Sequence, residues 1–134
     1  MTTFIDTSAL LAILDADEAR HGDARAAWET LLERDEPCVT TNYVLVETYA
    51  LTARRLGSAA VRTLSDDILP VVDVEWIDRE THERAVAALM TANRRDLSLV
   101  DIVSVDAMRR RGIQIAFAFD RHYLDAGFAL LPAE

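Results

Sequence analysis

Short apolar runs alternate along this chain with stretches whose apolar residues recur every three to four positions, and that alternation constrains the fold more than any other feature. The runs TTFID (2–6), CVTT (38–41), VVDVEWI (71–77), GIQIAFAF (112–119) and FALLP (128–132) read as strands. Between them the 3.6-residue pattern predicts helices over 7–14, 21–33, 42–56, 58–69, 79–93 and 98–111. Gly57 and Gly112 stand where a helix stop favours a left-handed residue. No Gly/Ser-rich linker, repeat or low-complexity tract breaks the series, and Pro37, Pro70 and Pro132 sit beside apolar runs. Strands joined through helices require right-handed crossovers and hence a largely parallel sheet. The expected class is α/β, three-layered, with a mostly parallel central sheet of four or five strands flanked by helices. At 134 residues it forms one domain, 1–134, large enough to bury its own core.

Composition narrows the function. An apolar fraction of 51% with 28% charged residues belongs to a folded domain, not a disordered one. The lone Cys38 can form neither an internal disulfide nor a cysteine-based zinc cluster, so a reducing cytoplasm is expected. The start of the chain lacks basic residues and Asp6 interrupts its short apolar stretch, which argues against a signal peptide or membrane helix. Fourteen basic residues, all arginine, oppose 23 acidic ones, for a net charge of −9. That balance disfavours broad non-specific binding of nucleic acid, where phosphate attraction dominates. It leaves room for a phosphate enzyme whose carboxylates are neutralised by divalent ions.

Four acids stand where a carboxylate needs a reason. Asp6 and Asp120 each close a strand, and ligands of parallel sheets gather outside the carboxyl ends of the strands. Either aspartate can instead cap the helix that follows. Glu47 has Tyr43, Val44, Ala50 and Leu51 as its neighbours three and four residues away, so it interrupts an apolar stripe. It is then an inward acid, or one at the stripe's edge paired with Arg54. Asp101 follows Ser98 at capping-box spacing, and the helix beyond it is apolar nearly all round, which holds the carboxylate near the core. Together the four make an oxygen-only set suited to Mg²⁺ or Mn²⁺ and to hydrolysis of a phosphodiester by activated water.

The segments FIDTSALLAIL, TTNYVLVETYAL, LSLVDIVSVDAMRRRGI and AFAFDRHYLDAGF, in this order and spacing, resemble a PIN domain of the VapC toxin type over essentially the whole chain. The resemblance implies a PIN-like fold and a Mg²⁺-dependent endoribonuclease, with Mn²⁺ as substitute, whose catalytic and metal-binding cluster is Asp6, Glu47, Asp101 and Asp120. It also implies Thr7, Ser8 and Asn42 as polar residues beside the acids. The bulky Ile102 follows Asp101 where small residues are frequent in the family. Further implied are an RNA substrate, a small cognate antitoxin of the VapB type whose tail covers the acidic groove, and a homodimer. An antitoxin arginine is chemically suited to that groove, because a guanidinium pairs bidentately with carboxylates.

Other features point less sharply. His21, His82 and His122 show no spacing for a paired-imidazole ribonuclease, and His122 is read as a solvated neighbour of the site. Arg121, next to Asp120, is the best candidate for a phosphate contact, whereas Arg55 and Arg109 to Arg111 fall at helix C-termini where cations are favoured anyway. Asp125 reads as part of a surface turn. Trp28, Trp76, Tyr43 and Tyr49 are too scattered to stack bases and read as core or dimer-interface residues. The competing enzyme is a Mg²⁺-dependent phosphatase or phospho-receiver. Asp6 is followed by Thr7 and Ser8, which lacks the D-x-D expected of that phosphatase. A non-catalytic PIN-like binding module is the remaining alternative.

Overall fold

The computed structural model describes residues 1–133. In chain order the elements are β1 (Thr3–Ile5), α1 (Thr7–Leu14), α2 (His21–Glu33), β2 (Cys38–Thr41), α3 (Asn42–Arg55), α4 (Ser58–Thr63), β3 (Asp73–Glu75), α5 (Arg79–Ala92), α6 (Leu99–Arg111), β4 (Ile115–Phe117), α7 (His122–Asp125) and β5 (Ala129–Leu131). The strands form one parallel sheet in the order β3-β2-β1-β4-β5, with Phe4 opposite Val39 on one side and Ala116 on the other. Among the described residues seven α-helices flank it.

That order decides where a ligand sits. The chain moves from β1 outward through β2 to β3, then returns to place β4 and β5 on the other side of β1. The direction reverses between β1 and β4, and the crevice of such a sheet opens at the carboxyl ends of the strands flanking the reversal. β1 is central and buried throughout, as parallel strands covered on both faces are. Phe4, Ile5, Leu10, Leu64, Met108, Phe117 and Tyr123 form the tightest part of the core.

Helix boundaries follow their capping residues. The Thr41 hydroxyl accepts the Val44 N–H at the start of α3, and the Asp78 carboxylate accepts the Thr81 N–H at the start of α5. Ser98 and Asp101 form a reciprocal capping box, and α6 ends on Gly112 at φ 68°.

Several expectations are corrected. The predicted helix over 58–69 stops as an α-helix at Thr63, passes into a π-helical turn (Leu64–Ile68) and then a 3₁₀ turn (Leu69–Val71). The wide turn points both Leu64 and Ile68 into the core, and Pro70 lies in the 3₁₀ turn. The strands are shorter than their apolar runs. Trp76, just past β3, is 74% exposed, whereas Trp28 is in the core. α6 is not apolar-buried all round: Val103, Ser104, Ala107 and Met108 face inward while Ile102 and Val105 are half-buried. Helix α7 was not anticipated.

Candidate active site

Asp6 follows β1 directly, and its backbone N–H donates to the Phe117 carbonyl at the end of β4, 3.1 Å away. The residue occupies the N-cap position of α1, yet its side chain accepts no capping hydrogen bond. The carboxylate is instead 5% exposed and lies against the buried Tyr123 hydroxyl. Burial pushes its carboxyl up to about 6, and the Asp101 charge adds to the rise. The Tyr123 hydroxyl and the Thr7 amide pull the other way without cancelling it. A group in that condition, at the reversal point of the sheet, is a functional-site candidate on physical grounds.

Ser8 joins the two strand ends. Its hydroxyl donates to Asp6 Oδ2 (3.3 Å) and accepts the Phe119 N–H (3.0 Å), so the chain leading to Asp120 is tied to the acid that follows β1. Thr7 is buried, its hydroxyl 3.3 Å from that of Thr48 on α3.

Asp101 divides its two oxygens. Oδ2 accepts the Ser98 N–H at 2.9 Å and completes the capping box, while Oδ1 faces His122 Nε2 at 3.5 Å. Capping and a site role are thus compatible on one side chain. Asp120, half exposed, accepts the His122 backbone N–H through Oδ1 (3.1 Å) and stands 2.8 Å from His122 Nδ1. Asp101, Asp120 and His122 each bring a donor atom within 4.8 Å of the others, a grouping that a metal ion can share. Asp6 stands behind it, close enough for the charges of Asp101 and His122 to act on its carboxyl. A cleft of about 450 Å³ opens beside the cluster, sharing Asp101 and His122 with it and lined also by Leu97, Ile102, Val105 and Arg109.

Two expectations change here. Glu47 is half-buried on α3, makes no hydrogen bond or ion pair with the described residues, Arg54 included, and does not join the 4.8 Å group. The buried face of that helix is Val44, Thr48 and Thr52, and Glu47 lies beside it. His122 is not solvated: its side chain is 11% exposed and its ring packs on that of Tyr123, centroids 4.0 Å apart. Asn42 is committed elsewhere, its Oδ1 accepting the Ile77 N–H at 2.8 Å. Arg121 is exposed at the start of α7, and Asp125 is exposed at its end. The residue that sequence reasoning underrated is His122; the tight spacing D-R-H, which permits a turn closing on the Asp120 carboxylate, was the available signal.

The PIN domain family matches residues 3–129. This chain belongs to the PIN-domain family. Along 132 residues, 98% of each chain, this PIN domain is 39% identical to the "23S rRNA-specific endonuclease VapC20" of Mycobacterium tuberculosis, in two strains. The crystal structure of that toxin, described as cleaving the sarcin-ricin loop, superposes with a TM-score of 0.82 at 37% identity, covering 95% of this chain and 96% of the other. FitAcB from Neisseria gonorrhoeae (TM-score 0.68, 14% identity, covering 96% and 95%) shares the fold. So does VapBC2 from Rickettsia felis bound to a promoter DNA fragment (0.70, 9%, covering 97% of each chain). The PIN domain described here is therefore a VapC toxin homologue of the endonuclease class, and the phosphatase and phospho-receiver alternatives fall away. Among the described residues no helix is long and apolar enough to cross a membrane.

Proposed function

We propose that this protein is the toxin of a type II toxin–antitoxin pair, an endoribonuclease that hydrolyses a loop of ribosomal RNA in the cytoplasm with Mg²⁺ as its ion. The observation that carries this reading is the convergence of Asp6, Asp101 and Asp120 at the carboxyl edge of the sheet, where β1 and β4 part company. The donor set fits a hard divalent cation, because closely placed carboxylates repel and the buried Asp6 carboxylate has most to gain from added positive charge. Asp6, Asp101 and Asp120 would hold the ion, with Glu47 as an outer acid on the helix that touches Thr7. Such an ion supplies water acidified near neutral pH and stabilisation of the charge that develops in an in-line displacement at phosphorus.

The chain's own groups do the positioning. Ser8 fixes Asp6 relative to the β4 end, Tyr123 seals the site from below, and the cleft beside Asp101 has room for a nucleotide of the substrate strand. Arg109, which lines that cleft, and Arg121, next to Asp120 in the chain, are the phosphate contacts of this reading. Water, not the 2′-hydroxyl, attacks, so the ends are 5′-phosphate and 3′-hydroxyl. The test is cleavage of ribosomal RNA by purified protein with Mg²⁺, with Mn²⁺ and in chelator, alongside Asp6→Asn, with the 5′ ends sequenced. Cyclic phosphate products or full activity in chelator would overturn the reading.

The same reading gives the toxin two partners. A small VapB-type antitoxin closes the acidic groove with a basic or aromatic segment. A second copy pairs through the side bearing Val46 and Trp76, 70% and 74% exposed, the backbone next to Trp76 being tied through the Ile77 N–H to Asn42, one helical turn before Val46. Light scattering across micromolar concentrations, and inhibition by the product of the adjacent reading frame, test the two separately.

A further inference from the structure

Among the three histidines, two have ordinary employment. His21 Nδ1 lies 2.7 Å from the Ala12 carbonyl, and His82 Nδ1 pairs with the Tyr43 hydroxyl. His122 differs. Both its ring nitrogens are fully buried and neither has a hydrogen-bond partner of good geometry, although each is aimed at a carboxylate, Nδ1 towards Asp120 and Nε2 towards Asp101. Leaving a buried polar atom unpaired is costly. The ring is also held: it stacks on Tyr123, which is itself wholly buried against Phe4.

We propose that His122 Nε2 is a direct ligand of the divalent ion, so that this site is a mixed nitrogen–oxygen centre and not an all-carboxylate one. The inference rests on the metal dependence argued above. Ligand atoms around one octahedral ion with bonds of about 2.1 Å stand about 3 to 4.2 Å apart, and the 3.5 Å between His122 Nε2 and Asp101 Oδ1 falls within that span. In the tautomer protonated at Nδ1, the nitrogen that stands 2.8 Å from Asp120 Oδ1, the Nε2 lone pair is bare. Asp120 Oδ2 remains for the ion. Its Oδ1 already receives the His122 backbone N–H, so the short D-R-H turn sets side chain and backbone together. An imidazole donor shifts preference away from Mg²⁺ towards Mn²⁺ and the later first-row ions. Catalysis with Mg²⁺ remains possible through the carboxylates, and the nitrogen makes Mn²⁺ the tighter binder.

Pulsed EPR of the Mn²⁺-loaded protein decides the matter without relying on activity. Electron spin-echo modulation should show a directly bound ¹⁴N that converts to ¹⁵N when the protein is made with ¹⁵N-histidine, on wild-type protein whose folding is not in question. The coupling should persist in His21→Ala and His82→Ala and vanish in His122→Asn, with the Mn²⁺-over-Mg²⁺ preference falling about tenfold or more. Bound Mn²⁺ without histidine nitrogen coupling would overturn the inference and leave the metal-dependent reading intact. No bound Mn²⁺ at all would overturn both.

Discussion

Asp6 is the residue whose chemistry the fold alters most. Its carboxyl titrates near 3.8 when solvated and is pushed up to about 6 by burial. Folding therefore tightens its hold on a proton, so this group's contribution to stability is fully present below about pH 4 and is lost as the pH climbs through about 6. In metal-free protein at pH 7.5, Asp6→Asn is expected to stabilise the fold by up to about 3 kcal/mol, shrinking to a fraction of that at pH 4.5. Urea denaturation in chelator at both pH values checks this, and an equal difference at the two would mean that Asp6 titrates as an exposed acid. Divalent ions need the ionised form, so their affinity should weaken below about pH 6. The candidacy of Asp6 and Asp101 could be read from the sequence because each stands at a boundary that pattern alone locates. His122 could not be ranked that way, since its burial depends on a turn of two residues and on Tyr123 beneath it, and neither leaves a periodic trace. The placement of Glu47 was legible only in part for the converse reason: a 3.6-residue wheel shows that a carboxylate borders an apolar stripe, but not how far around the helix the neighbouring elements reach.

At the level of elements, α6 carries both a structural and a chemical duty at its first turn. In Asp101→Asn the neutral side chain can still accept the Ser98 N–H, so the capping box is weakened, not lost, and the missing charge at the helix start is worth about 0.3 to 1 kcal/mol. Removing one of the acids that crowd Asp6 acts in the opposite direction. The melting temperature in chelator is therefore expected to stay level or rise, while the increase produced by millimolar Mg²⁺ largely disappears. A mutant melting several degrees low in chelator with a wild-type Mg²⁺ shift would make Asp101 a capping residue only. The other end of α6 offers a control remote in chemistry. Gly112 sits at φ 68° with open space around its missing Cβ, so Gly112→Ala should cost about 1 kcal/mol of stability through backbone conformation alone and leave the catalytic rate unchanged. These termini were legible because Ser98, Asp101 and Gly112 act within one turn of chain. The π-helical turn at Leu64–Ile68 and the brevity of the strands were not, since both answer to how much core the neighbouring elements can cover.

For the molecule as a whole, the alternation of runs was enough for a parallel α/β sheet, while the strand order that creates the crevice between β1 and β4 is a tertiary choice no local pattern encodes. The proposed action on RNA must also be squared with a net charge of −9. Arg20, Arg25, Arg84, Arg94, Arg110 and Arg111 are each engaged in ion pairs with the protein's own acids. Arg20 also lies over the Phe119 ring at 4.3 Å. These six are drawn off by acids of the protein itself, and the proposed recognition of RNA is expected to rest on a few contacts at the cleft and on the charge of the divalent ions. Binding of single-stranded RNA loses about 0.7 of a decade in affinity per decade of salt for each phosphate neutralised. Two or three contacts therefore predict a slope of about −1.5 to −2 for RNA affinity against monovalent salt at fixed, saturating divalent concentration. The measurement is RNA binding by Asp6→Asn protein, which keeps the strand intact, from low to physiological salt. A slope of about −4 or steeper would require six or more arginines to grip phosphate, and would overturn recognition by a few contacts at the cleft.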